Sequence, residues 1–182
     1  SAASDVYKRQ LYERIEASAG RIVVVGSNAY KMGKKQIHFD DLDFDDEYSP
    51  WRAYNQSKLA QMMFGYELQR RVEAAGSDVV VQVCHPGASR TNLISGDVST
   101  FNKILIRVMK PFFQSAERGS WPEVLCATEA DVESETLYGP TGRADTAGPV
   151  GECELAAHAL DWDAAARLWS VSEERTALTW SP

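Results

Sequence analysis

Short apolar runs alternate with longer amphipathic ones along this chain, and the alternation predicts an α/β fold. Leu11, Ile15 and Ala19 recur at helical spacing and predict a helix over about residues 5–18, stopped at Ala19-Gly20. Arg21-Ile-Val-Val-Val25 is a continuous β-branched run, as expected of a strand buried on both faces in a parallel sheet. Gly26-Ser27-Asn28 ends it. Residues 29–50 are polar, hold Gly33, Pro50 and the acidic run from Asp40 to Glu47, and read as a surface loop. A long helix follows from about Arg52 to Ala75, with Leu59, Met63 and Tyr66 on one stripe and Gly76 as its stop. Asp78 to Cys84 forms a second buried strand, broken by His85-Pro-Gly87. Helical segments over about residues 100–110 and 116–128 are separated by Pro111. Glu135 to Tyr138 predicts a third strand, ended by Gly139-Pro140, and residues 141–154 read as a loop rich in Gly and Ala. Asp161 caps a last helix carrying Ala165, Leu168, Trp169 and Val171.

This order predicts a parallel sheet of three strands with flanking helices and right-handed crossovers. With 182 residues and 44% hydrophobic positions the chain is one domain with a real core. Nineteen basic and 26 acidic residues leave a net charge of -7 with no basic block, which argues against nucleic acid as a partner. No run approaches the apolar length of a membrane span, and the mean hydropathy of -0.34 suits a water-soluble chain. The 3 cysteines (Cys84, Cys126, Cys153) form no CxxC pair, which argues against a disulfide scaffold or structural zinc and fits a reducing cytoplasm. Asp41, Asp43 and Asp45 begin like a calcium loop, but Asp46 and Arg52 stand where that loop needs Gly and Glu. His38 and His158 lack partners at metal-ligand spacing. No metal site is therefore expected.

The candidate chemistry lies in Tyr54-Asn-Gln-Ser-Lys58, at the start of the long helix. Residues spaced in this way share one helix face. A cation held beside a phenol favours its ionised form, so such a pair can exchange a proton near neutral pH. Taken alone, the pair reads more readily as a surface lysine beside a half-buried tyrosine. Its context points elsewhere. Ser27 directly follows one buried strand, and Pro86-Gly87-Ala-Ser-Arg-Thr91 follows the next, at the same sheet edge. Ligands of open α/β sheets bind just beyond the strand carboxyl ends. His85 is expected to pack or cap at its turn, and Cys84 to be an inert core residue.

These stretches together resemble the short-chain dehydrogenase/reductase family, in its retinol-dehydrogenase-like and WW-domain-oxidoreductase-like branch. Arg21-Ile-Val-Val-Val-Gly-Ser27 resembles the strand ending in a catalytic serine, and Ile37-His-Phe-Asp-Asp-Leu42 the branch's insertion. Ala53-Tyr-Asn-Gln-Ser-Lys-Leu-Ala60 resembles the catalytic helix, and His85-Pro-Gly-Ala-Ser-Arg-Thr-Asn-Leu93 the cofactor loop. Arg167-Leu-Trp-Ser-Val-Ser172 resembles the C-terminal helix. The resemblance covers about residues 11–176. It implies a doubly wound Rossmann-like fold and an NAD(P)-dependent oxidoreductase that interconverts an alcohol with an aldehyde or ketone. It implies Tyr54 as general acid/base, Ser27 as hydrogen-bond partner of the reacting oxygen, and Lys58 as both partner of Tyr54 and ribose ligand. Tyr54, Lys58, Pro86, Gly87 and Thr91 would contact the cofactor, which is NADP by the branch, or NAD. Gly26 stands where the family commonly has another serine, a departure expected to be tolerated.

The family opens with a strand and a glycine-rich phosphate loop, and no such motif occurs here: Gly20, Gly26 and Gly33 have the wrong spacing. The residue that selects NAD or NADP and the family's upstream Asn are missing as well. Residues 1–10 lack an initiator Met and the apolar core of a secretory signal, and read as a non-native or disordered lead. Residues 11–182 read as the C-terminal catalytic half of a single Rossmann domain, a truncated fragment. The cluster from Phe101 to Phe113 resembles the family's substrate lid and suggests a small apolar substrate; core packing or a dimer surface explains it equally well. The sequence does not give the oligomeric state, but the long helix is a common dimer face in this family, so the resemblance allows a homodimer of the full-length protein. The alternative is a non-catalytic half-domain whose open sheet edge pairs with a partner.

Overall fold

The computed structural model describes residues 2–88, 114–142 and 144–182. Its elements in chain order are α1 (Ala2–Glu16), β1 (Arg21–Val25), α2 (Pro50–Ala74), β2 (Val80–Cys84), α3 (Ala116–Thr128), β3 (Leu137–Pro140), β4 (Val150–Cys153) and α4 (Trp162–Thr176). Single 3-10 turns at Asn28–Lys31, Phe39–Asp41 and Ala157–Leu160 punctuate the loops. The helix expected over 100–110, Thr91 and the cluster from Phe101 to Phe113 lie outside the described residues.

The strands lie in the order β1-β2-β3-β4. β1 and β2 pair in parallel from Arg21 opposite Val80 to Val25 opposite Cys84. β3 joins β2 in parallel, Val83 opposite Leu137. Helices cover both faces, as the doubly wound pattern requires. On one face Ile22 and Val24 of β1 and Val81 and Val83 of β2 pack with Leu59, Met62, Met63 and Tyr66 of α2. On the other, Cys84 and Tyr138 pack with Cys126 of α3, joined by Val23 and Val25. The β-branched run of β1 is covered on both sides because its alternate residues feed different cores. At Gly65 the backbone of α2 comes close to the sheet: an added Cβ would stand 2.8 Å from Val83 Cγ2.

Three expectations need correction. The sheet has four strands, not three. β4 runs antiparallel to β3, with Pro140 opposite Val150 and Leu137 opposite Cys153, inside what reads as loop. Val150-Gly-Glu-Cys153 has neither alternation nor a β-branched run; it is a strand because its backbone pairs with β3. β3 itself begins two residues later than expected and includes Gly139-Pro140, whose missing N–H falls harmlessly at the strand's last position. Glu135, expected inside that strand, adopts a positive φ of 53°.

Candidate active site

The loops that follow β1, β2 and β3 meet at one edge of the sheet and are stitched together by backbone bonds. Gly26 N donates to Cys84 O at 2.7 Å, His85 N to Tyr138 O at 2.9 Å, and Ala88 N to Thr146 O at 2.7 Å. Asp145 ties the loop after β3 to the loop after β1. Its carbonyl accepts from Asn28 Nδ2 at 3.2 Å, and its carboxylate pairs with Lys31 Nζ at 3.3 Å.

Glycines allow this convergence where side chains would collide. Gly87 has a φ of +65°, and a Cβ there would lie 2.5 Å from both Pro140 Cγ and Thr146 O. At Gly139 a Cβ would strike the buried ring of His85, and at Gly26 it would strike Met62 Sδ. The last contact accounts for the departure at residue 26: Met62 fills the space a serine side chain needs. His85 Nδ1 accepts from Gly87 N at 3.1 Å, so the ring proton sits on Nε2. Burial pushes the imidazole down to about 4, against the opposing pull of Asp145, which keeps it neutral. His85 therefore caps the turn, as expected.

Ser27 follows this stitch in extended backbone, φ -161° and ψ 143°. Its Oγ accepts from Ala29 N at 3.3 Å and starts the 3-10 turn Asn28–Lys31. α2 then returns from the same edge, starting with Pro50, whose fixed φ suits a first helical position. Tyr54 and Lys58 both lie half-buried near its start. Lys58 Nζ stands 5.8 Å from the centre of the Tyr54 ring and donates to Gln61 Oε1 at 2.9 Å. Burial lowers the Lys58 pKa from its ordinary value. One turn earlier, Trp51 stacks on Tyr54 with ring centres 5.9 Å apart and planes 25° apart.

The structure therefore brings Tyr54 and Lys58 together and places Ser27, Pro86 and Gly87 at strand ends of the same edge. Thr91 lies outside the described residues. The other singled-out groups serve the fold. His158 Nε2 lies 3.0 Å from Tyr30 O, Asp41 Oδ1 accepts from Asp45 N at 2.7 Å, and Asp43 pairs with Arg175. Sequence reading missed Trp51, Gln61 and the Lys31–Asp145 tie. Of these, only Gln61 carried a local signal, its spacing from Lys58 on the helix. No helix among the described residues is long and apolar enough to cross a membrane.

A nicotinamide cofactor fits this edge on the chemistry of its donors. Lys58 has three N–H donors, of which Gln61 uses one, leaving donors that ribose hydroxyls can accept from.

No protein-family model matches the chain. It is 37% identical over 159 residues to human retinol dehydrogenase 14, covering 86% of this chain and 44% of that protein. It is 33% identical over 174 residues to human retinol dehydrogenase 12, covering 93% and 50%. Mouse polyprenol dehydrogenase is 34% identical over 125 residues, covering 65% and 35%. An uncharacterised protein from Mycobacterium paratuberculosis, known by crystal structure, superposes with a TM-score of 0.68 at 33% identity, over 90% of this chain and 52% of that one. The chain spans about half the length of the curated relatives it matches.

Proposed function

The chain belongs to the short-chain dehydrogenase/reductase family, and we propose that it carries the proton-transfer groups of an NAD(P)-dependent oxidoreductase interconverting an alcohol and a carbonyl. The observation that carries this reading is the Lys58 ammonium held 5.8 Å from the Tyr54 ring on the helix that starts where the strand ends converge. In this reading the Tyr54 hydroxyl gives its proton to the carbonyl oxygen in reduction and takes it back in oxidation. Lys58 opposes the negative charge that forms on the Tyr54 oxygen, and its remaining N–H donors would hold the nicotinamide ribose. Ser27 turns its hydroxyl to the reacting oxygen and fixes it against Tyr54. Pro86, Gly87 and Thr91 would contact the nicotinamide end. When bound, the cofactor supplies or accepts the hydride.

An apolar alcohol or aldehyde is the substrate class we favour, in keeping with relatives named for retinol and polyprenol. We further propose NADP over NAD, a homodimer for the full-length protein, and a reducing compartment such as the cytoplasm for its three free thiols. The test is turnover of an aldehyde by the purified chain with NADPH and with NADH, beside Tyr54→Phe. A positioned general acid contributes about 10²–10⁴-fold, so Tyr54→Phe should lose that much of kcat while still binding cofactor. Equal turnover by the variant would sink the role of Tyr54.

A second reading has one observation in its favour. β1 lies at the edge of the sheet among the described strands, with a backbone edge open to pairing. A chain acting only by such pairing would bind neither NADPH nor NADH in calorimetry, and Tyr54→Phe would change nothing.

A further inference from the structure

We propose that Trp51 is a specificity-determining residue: its indole forms the substrate-side wall beside Tyr54 and receives the apolar body of the substrate. This rests on the proton-transfer reading above and adds to it which end of the site faces the substrate.

Trp51, Tyr54 and Lys58 occupy a single stripe at the start of α2. β1 and β2 run parallel with α2 between them, so α2 starts at the strand carboxyl edge and runs back toward the amino edge. Trp51 therefore stands about 4.5 Å further out than Tyr54, and Lys58 about 6 Å further in. The inner end of the stripe is a cation with donors to spare, matched to ribose hydroxyls. The outer end is a flat apolar surface.

Exposure is the second observation. Trp51 is 56% exposed, although it is held in place by its stack on Tyr54. Three residues earlier Tyr48 is 68% exposed. The later aromatics of α2 are covered: Tyr66 is 1% exposed, and Phe64 packs face to face with Trp169 at 5.5 Å. An ordered indole left open to water beside the reacting phenol presents a large apolar contact area at low entropic cost. A carbonyl oxygen placed at the Tyr54 hydroxyl puts the substituents of that carbonyl within reach of this ring. A hydrocarbon chain or conjugated system would cover it; a short polar carbonyl would not.

The experiment compares decanal with propanal as substrates for the full chain and for Trp51→Ala and Trp51→Phe. We expect Trp51→Ala to reduce kcat/KM for decanal by about tenfold more than for propanal, mostly through KM, the range a hydrophobic pocket contact commands. Trp51→Phe should restore most of the difference, because it keeps an aromatic face. In parallel, the indole N–H resonance assigned by its loss in Trp51→Phe should shift on titration with decanol. Equal effects on both aldehydes, with an unmoved resonance, would overturn the inference while leaving the chemistry of Tyr54 intact. A resonance that shifts in a chain with no turnover would defeat the proton-transfer reading, and with it the role of Trp51 in specificity, leaving Trp51 an apolar contact only.

Discussion

Replacing Gly65 by alanine should separate what holds this fold from what makes it active. Gly65 is buried in α2 where the helix crosses the sheet. The added methyl would sit 2.8 Å from Val83 Cγ2 and 3.4 Å from Val24 Cβ and Cγ1, and both valines are 1% exposed. Carbon contacts settle at roughly 3.5–4.0 Å, so the overlap with Val83 is at least about 0.7 Å. Valine has little rotamer freedom with which to yield. Overpacking of this kind costs about 1–3 kcal/mol, while alanine in place of glycine within a helix returns about 1 kcal/mol. The net loss in urea denaturation should therefore be below about 2 kcal/mol. The overlap is relieved by lifting α2 off the sheet, and Tyr54 and Lys58 ride on the same helix. A displacement near 1 Å at a reacting group costs about 10²-fold, so kcat for an aldehyde should fall by about 10- to 100-fold. Gly76→Ala is the control: φ is +69° with nothing within 4 Å. It should lose about 1 kcal/mol through backbone strain and keep its kcat. A Gly65→Ala protein with full turnover, or one destabilised by more than about 4 kcal/mol, would refute this account of the helix–sheet contact.

Glu67 is buried in α2, and burial raises its carboxyl. Hydrogen bonds of 2.8 and 2.8 Å from Arg70 and 2.7 Å from Arg71, with their charges, outweigh burial and hold its pKa below the ordinary 4.5. A carboxyl with a lowered folded pKa contributes stability above the unfolded value and loses it as pH falls through the folded one. Glu67→Gln should therefore flatten the acid limb of stability below about pH 4.5 and cost about 1–3 kcal/mol at pH 7. His85, pushed down from 6.5 to about 4, contributes stability that is complete above about pH 6.5 and is lost as pH falls toward about 4. Its imidazole resonances should stay in the neutral position at pH 5.5, and a charged ring at that pH would contradict its burial. Trp180 is 6% exposed, with ring centres 5.3 Å from Trp169 and 5.6 Å from Tyr12. Trp180→Ala should cost about 3–5 kcal/mol in denaturant titration; a loss below about 1 kcal/mol would mean the tail does not hold α1 and α4 together.

Local chemistry was legible in the sequence and long-range chemistry was not. β1 could be read because a β-branched run carries its own signal, and Tyr54 with Lys58 because a helix brings that spacing onto one face. β4 was silent: Val150 is its only β-branched residue, and its partner strand supplies the reason it is extended. Lys31 and Asp145 are 114 positions apart, so no window along the chain could pair them. Trp51 was passed over because one tryptophan at a helix start makes no pattern; its meaning comes from the ring it stacks on.

The contact between Gly139 and His85 limits how this protein can change over generations. The ring of His85 occupies the volume into which any side chain at residue 139 must grow. Neither position can drift by itself toward a larger residue, yet a smaller residue at 85 would release 139. Substitutions at the two sites should therefore arise as compensating pairs, and a library randomised at both should return survivors of nearly constant summed volume. The end of β2 and the middle of β3 then evolve as one unit, although 53 residues of chain separate them.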